Sequence, residues 1–189
     1  MTTMGRFLTE DLGIAGLRTV IRQPIGDRRG FLARLFCAEE LKEVGWHKPI
    51  AQINHTHTAQ GGTVRGMHYQ NPPSAEMKLV TCIRGQVWDV AVDLRVDSPT
   101  FLTWQGVVLS ADNNRALLIP EGCAHGFQAL SDDVELIYCH SVAYNPMAEG
   151  GLNPQDPRLG IEWPQAITEL SQRDQNHPLL DSTFLGLSL

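Results

Sequence analysis

In the stretch TVRGMHYQNPP, residues 63–73, a histidine follows an arginine by three positions, ahead of an aromatic, an amide and two prolines. His68 could be a catalytic base, a metal ligand or a hydrogen-bonded core residue, and a lone histidine is most often the last. Arg65 and Lys78 bracket it in the sequence, and strand alternation can bring all three toward one face. Two cations beside a histidine are awkward in a dry core, because burying unpaired charge is costly. They make sense where phosphate or a developing oxyanion is bound.

Seven histidines are spread over the chain, and two further groups have suggestive neighbours. His55-x-His57 could seed a metal site, and PEGCAH, from Pro120 to His125, resembles the second metal-binding motif of cupins. Such a site usually takes two histidines, a glutamate a few residues beyond them and a later histidine. Here the first acidic residue after HTH is Glu76. With no carboxylate at ligand spacing, the sequence argues against a metal, and HTH reads as a solvent-exposed turn. For Tyr138, core packing with a satisfied hydroxyl is the favoured reading from the residue alone.

Short strands must position these groups. KLVTCIRGQVWDVAVDLR reads as two strands joined at Arg84-Gly85, and TFLTWQGVVLS, RALLIP, HGFQALS and VELIYCHSVAYN follow with ADNN, EGCA and SDD between them. Regular short strands separated by Gly, Asn and Asp turns predict an all-β antiparallel sandwich or barrel of jelly-roll type. The one convincing helix is AEELKEVGW, with Leu41 and Val44 on one side and Gly45 as a stop. In Val87–Asp93, Val87, Asp89, Ala91 and Asp93 share a face. The two aspartates either meet solvent or line a polar lumen, the usual ligand site of a small barrel. Past Asn145 the chain becomes Pro-rich, which suits an ordered arm wrapped over the barrel.

With 189 residues the chain suits one domain, 1–189, with a sizeable core. The apolar fraction of 42% is that of an ordinary soluble protein. A net charge of −6 with scattered basic residues argues against nucleic acid. The N-terminus does not read as a signal peptide, and no apolar run reaches membrane-spanning length. Cys37, Cys82, Cys123 and Cys139 form no C-x-x-C pair. They read as buried free thiols in a reducing cytoplasm.

Taken together, GDRRGF, AQINHT, VRGMHYQNPP, KLVTCIRGQVWDVAVDLR, SPTF, LLIPEGCAHGF, IYCHSVAYNP, DPRLGIEWP and LSQRD occur in order over nearly the whole chain. In these stretches the sequence resembles the dTDP-4-dehydrorhamnose 3,5-epimerase family. The resemblance implies a cupin-like jelly roll, a homodimer and no metal or organic cofactor. It further implies proton removal next to the C4 ketone of a nucleotide-linked 4-keto-6-deoxyhexose, with a proton returned to the opposite face. Carbons C3 and C5 both flank that ketone, so one enolate strategy serves both. His68 matches the family's base, Asp174 the carboxylate that orients it, and Lys78 the cation beside the C4 oxygen. Tyr138 matches the acid delivering from the other face. Arg29, Gln52, Asn54, Arg65, His125, Glu149 and Arg173 fall on ligand-contact positions, and Tyr144 matches the aromatic that stacks on the nucleobase.

The chain departs from the family pattern at Leu32 and Arg34 in RGFLAR, at Met77, and in GGLNPQDP. Arginine has donors but no acceptor for the N3–H of thymine. Arg34 therefore predicts weak selectivity for dTDP over CDP, unless a salt bridge to a nearby carboxylate occupies it. The alternatives are an epimerase for one carbon or another nucleotide, a metal-dependent cupin, and a non-catalytic sugar-binding barrel.

Overall fold

The computed structural model describes residues 2–189. One sheet has seven strands, in the order β1 (Thr2–Met4), β2 (Phe7–Asp11), β3 (Arg18–Arg22), β11 (Arg115–Ile119), β8 (Lys78–Arg84), β13 (Val134–His140) and β6 (Gln52–Thr58). The other has five, in the order β10 (Trp104–Ser110), β9 (Gln86–Asp93), β12 (Cys123–Ala129), β7 (Val64–Gln70) and β14 (Glu149–Gly151). A separate hairpin pairs β4 (Ile25–Asp27) with β5 (Gly30–Leu32). Neighbouring strands run antiparallel, and the two large sheets face each other as a cupin-like jelly roll.

Alternation divides the core. Val80, Leu117 and Leu136 of the larger sheet meet Val87, Ala91 and Phe127 of the smaller one inside the barrel. The intervening residues point outward and are also covered. Leu79, Leu118 and Cys139 pack under the short helix α1 (Ala38–Lys42), against Leu41, Val44 and Trp46. Val90, Val92 and Ala124 pack under the arm, against Leu152, Leu159 and Leu187. Leu41 is 0% exposed, and its truncation to alanine would cost about 2–5 kcal/mol.

Two expectations change, and one open alternative is closed. HTH is not a turn: His55 and His57 lie on the edge strand β6, hydrogen-bonded to Glu135 and Asp133. An edge strand can hold polar side chains outward, so polarity there imitated a turn. Asp89 and Asp93 do not meet solvent, both being fully buried. The Arg95 guanidinium and the Ser98 and Thr100 hydroxyls surround Asp93. Cys37 is only half-buried, whereas Cys82, Cys123 and Cys139 are buried, and all four are free thiols.

The arm is tied down strand by strand. β14 pairs with β7, placing Gly151 opposite His68. Farther on, Val64 N–H donates to the Glu169 carbonyl, and a second short helix, α2 (Gln172–Gln175), sits against β7.

Candidate active site

A cavity of about 610 Å³ opens at one end of the barrel, between the two sheets and under the arm. His68 reaches it from β7, whose pairing with β12 is irregular. His125 faces His68 and Phe127 faces Arg65, so two steps on β12 span three on β7. Alternation alone, contrary to the expectation from the sequence, would send Arg65 and His68 to opposite faces. The extra residue resets the phase, and both side chains line the cavity. Glycines permit this close crossing: a Cβ on Gly66, at φ +117°, would fall 2.6 Å from the Gly126 Cα.

The arm supplies the partner. His68 Nε2 lies 2.8 Å from Asp174 Oδ1, and Asp174 Oδ2 accepts the Gly66 N–H at 3.2 Å. The Ser171 hydroxyl caps α2 by accepting the Asp174 N–H. Burial pushes the Asp174 pKa up, but the bonds from His68 and Gly66 and the His68 charge outweigh it and hold the carboxyl below its usual range. An ionised carboxylate only accepts, so Nε2 is the donor in this contact, and in the neutral ring the lone pair is on Nδ1.

The opposite wall belongs to the other sheet. Lys78 on β8 is held at 3.1 Å from Glu76 and donates to the His68 carbonyl at 3.2 Å. Tyr138 on β13 is buried, and burial, reinforced by the nearby Asp89 charge, drives its phenol pKa far above normal. It remains a proton donor across the ordinary pH range. His140, two residues on, stacks beside it; burial and the Lys78 charge lower its pKa to about 4, so it is neutral at pH 7. His125 packs edge-on to Tyr138 and is bonded at 2.8 Å to Asp89.

The mouth is more exposed. Tyr144 donates its hydroxyl to Glu149 at 2.7 Å, and Glu149 meets Arg173 at 2.5 Å. Burial raises the Glu149 pKa, yet the bonds from Arg173 and Tyr144 hold it below the usual value. Gln52 links the Asn54 side chain to the Tyr144 backbone. Arg65 is fixed by the Thr58 hydroxyl and the His57 carbonyl.

The cavity thus gathers His68, Lys78, Tyr138, Asp174, Gln52, Asn54, Arg65, His125, Tyr144, Glu149 and Arg173. Arg29 is not among its lining residues; it stands on the β4–β5 hairpin, exposed and paired with Asp27. Arg34 is also outside, in an ion pair with Glu40. Glu76 and His140 line the cavity but were missed from the sequence. His140 carried a readable signal, since i and i+2 on a strand share a face with Tyr138.

The sequence profile of the family described as dTDP-4-dehydrorhamnose 3,5-epimerase matches residues 11–182. A dTDP-4-dehydrorhamnose 3,5-epimerase of Salmonella typhimurium is 44% identical over 162 residues, covering 85% of this chain and 88% of that protein. A dTDP-4-dehydrorhamnose 3-epimerase of Streptomyces niveus is 41% identical over 170 residues, covering 89% and 82%. Among solved structures, the dTDP-6-deoxy-D-glucose-3,5-epimerase of Legionella pneumophila, in complex with dTDP-4-keto-L-rhamnose, superposes with a TM-score of 0.89. It is 35% identical, covering 97% of this chain and 99% of that one.

Proposed function

The chain belongs to the dTDP-4-dehydrorhamnose 3,5-epimerase family, and from that premise we propose that it inverts C3 and C5 of dTDP-4-dehydro-6-deoxy-glucose to give dTDP-4-dehydro-rhamnose. The nucleotide follows the relatives' names, so the weak dTDP selectivity expected from Arg34 is set aside. Arg34 is occupied by Glu40 and leaves the cavity untouched. The supporting observation is that His68 and Tyr138 stand on opposite sheets and line one cavity.

In this reading the His68 Nδ1 takes the proton from the carbon next to the ketone. Asp174 holds the ring and stabilises the imidazolium that forms. The electron pair moves onto the C4 oxygen, where Lys78 supplies positive charge. Tyr138 then donates its proton to the same carbon from the other face, which inverts it. Once solvent has taken the proton from His68 and returned one to Tyr138, the cycle repeats at the second flanking carbon and completes the reaction. Arg65, His125, Gln52 and Asn54 hold sugar and diphosphate, while Tyr144, Glu149 and Arg173 form the nucleotide end. No metal or organic cofactor enters these steps.

The whole chain, 1–189, is read as one domain acting as a homodimer in the cytoplasm. Phe31 and Leu32 on the β4–β5 hairpin are 75% and 68% exposed, apolar area that a second protomer would cover. The same association would carry Arg29 to the cavity of the partner subunit. Among the described residues no helix is long and apolar enough to cross a membrane.

Proton NMR of the keto-sugar nucleotide with this protein in deuterated water tests the function. Deuterium should enter at both C3 and C5 with inversion; exchange at neither carbon would overturn the reading.

A further inference from the structure

His177 has no part in the steps above. It lies just past α2, half-buried, and its Nε2 is buried without a hydrogen-bond partner. Gly151 faces His68 across the β7–β14 pair, and a Cβ there would fall 2.1 Å from that nitrogen. The glycine is what admits a second imidazole beside the first. As a result, His68, Asp174 and His177 each offer a ligand atom, and these atoms all lie within 4.8 Å of one another. Among the described residues no other trio of His, Cys, Asp or Glu does so.

We propose that this trio binds a zinc ion, and that its occupation switches the enzyme off. Two imidazole nitrogens and one carboxylate oxygen form a donor set that zinc accepts, with the fourth tetrahedral position left to water. Ligand bonds of about 2.0–2.2 Å require donor atoms roughly 3.4 Å apart. The His68–Asp174 pair is already closer than that, at 2.8 Å, so binding draws His177 inward and parts the pair slightly. The unpartnered His177 nitrogen has no bond to lose in that movement.

The inhibitory effect follows from proton placement, and it rests on His68 being the base. With Asp174 as its partner, His68 carries its proton on Nε2 and keeps a lone pair on Nδ1. Zinc on Nε2 needs that lone pair for itself, so the ring proton moves to Nδ1. The ring stays neutral and no proton is lost. Nδ1 is now a donor, and the keto-sugar meets an N–H where it needs a base. Zinc is therefore a reversible inhibitor here, distinct from a cofactor.

The test uses untagged, chelator-stripped protein. Calorimetry should find one zinc per chain, and solvent-deuterium exchange should fall in step with occupancy and return on adding EDTA. His177→Gln should weaken zinc binding at least ten-fold and keep exchanging at zinc levels that silence the wild type. Zinc-dependent shifts of the His68 and His177 ring protons in the unaltered protein check the site without any variant. Absence of stoichiometric binding, or equal binding by His177→Gln, would overturn the site. Zinc bound through His177 with undiminished exchange would leave the site standing and overturn the claim that its occupation switches the enzyme off.

Discussion

His68 and His125 are register partners on β7 and β12, and each is bonded at 2.8 Å to a carboxylate of its own. They differ in access: the His68 side chain is 36% exposed and the His125 side chain 6%. Only the first can approach a C–H of a bound sugar with a free nitrogen. His68→Ala should therefore stop deuterium incorporation at both C3 and C5, with a loss of at least about 10²–10⁴-fold. Near-wild-type exchange in that variant would transfer the role of base to another group.

Tyr138→Phe should separate proton removal from proton return. Washout of the substrate protons persists because His68 remains, while inverted product falls by about 10²-fold or more. NMR in deuterated water reads both at once. A small and equal decline in the two would make Tyr138 a packing residue.

Exhaustive chelation should leave turnover unchanged or raise it, because in the proposed mechanism the enolate is met by Lys78 and neighbouring donors. A chelator-sensitive enzyme restored by stoichiometric metal would count against every step written above.

Arg29 tests the homodimer. Arg29→Ala should weaken substrate binding by roughly ten- to a hundred-fold, the value of a hydrogen bond to a charged group. Mixing it with His68→Ala should restore activity, since a hybrid dimer regains one complete site. Mixtures no more active than the two variants apart would mean that Arg29 does not act across a dimer interface.

Asp93 gives a prediction about stability. Burial raises its pKa, but Arg95, Ser98 and Thr100 outweigh that and bring it from 3.8 down to about 2. A carboxyl depressed in the folded state stabilises it above the unfolded pKa, and the benefit is lost as pH falls from about 4 to about 2. Asp93→Asn should cost about 2 kcal/mol in urea unfolding at pH 7, and the difference should shrink toward pH 2. A gap independent of pH would mean that packing, and not charge, holds this corner.

The barrel was legible because its strands alternate cleanly, and β8 and β9 lie where the pattern KLVTCIRGQVWDVAVD put them. His68 and Lys78 stood out through their neighbours in sequence. The shared face of Arg65 and His68 depends on an extra residue in β7 that alternation alone does not reveal. Asp174 lies 106 residues from His68, so spacing says nothing of their contact and only the family resemblance pointed to it. Asp93 was ambiguous because its partners come from the turn that follows the strand. Glu76 precedes Lys78 by two positions, and only the structure shows the two in contact.

The arm has a consequence for the order in which the protein is made. Translation completes thirteen of the fourteen strands by His140, before any of the arm's contacts with β7 exist. A nascent chain at that stage can already close most of the barrel and bury its interior. His68 then has no carboxylate behind it, because Asp174 has yet to leave the ribosome. A chain stopped before residue 170 would share that condition: it would hold every described strand of the barrel and lack Asp174. Closing the barrel and completing the His68–Asp174 pair thus belong to different stages of synthesis.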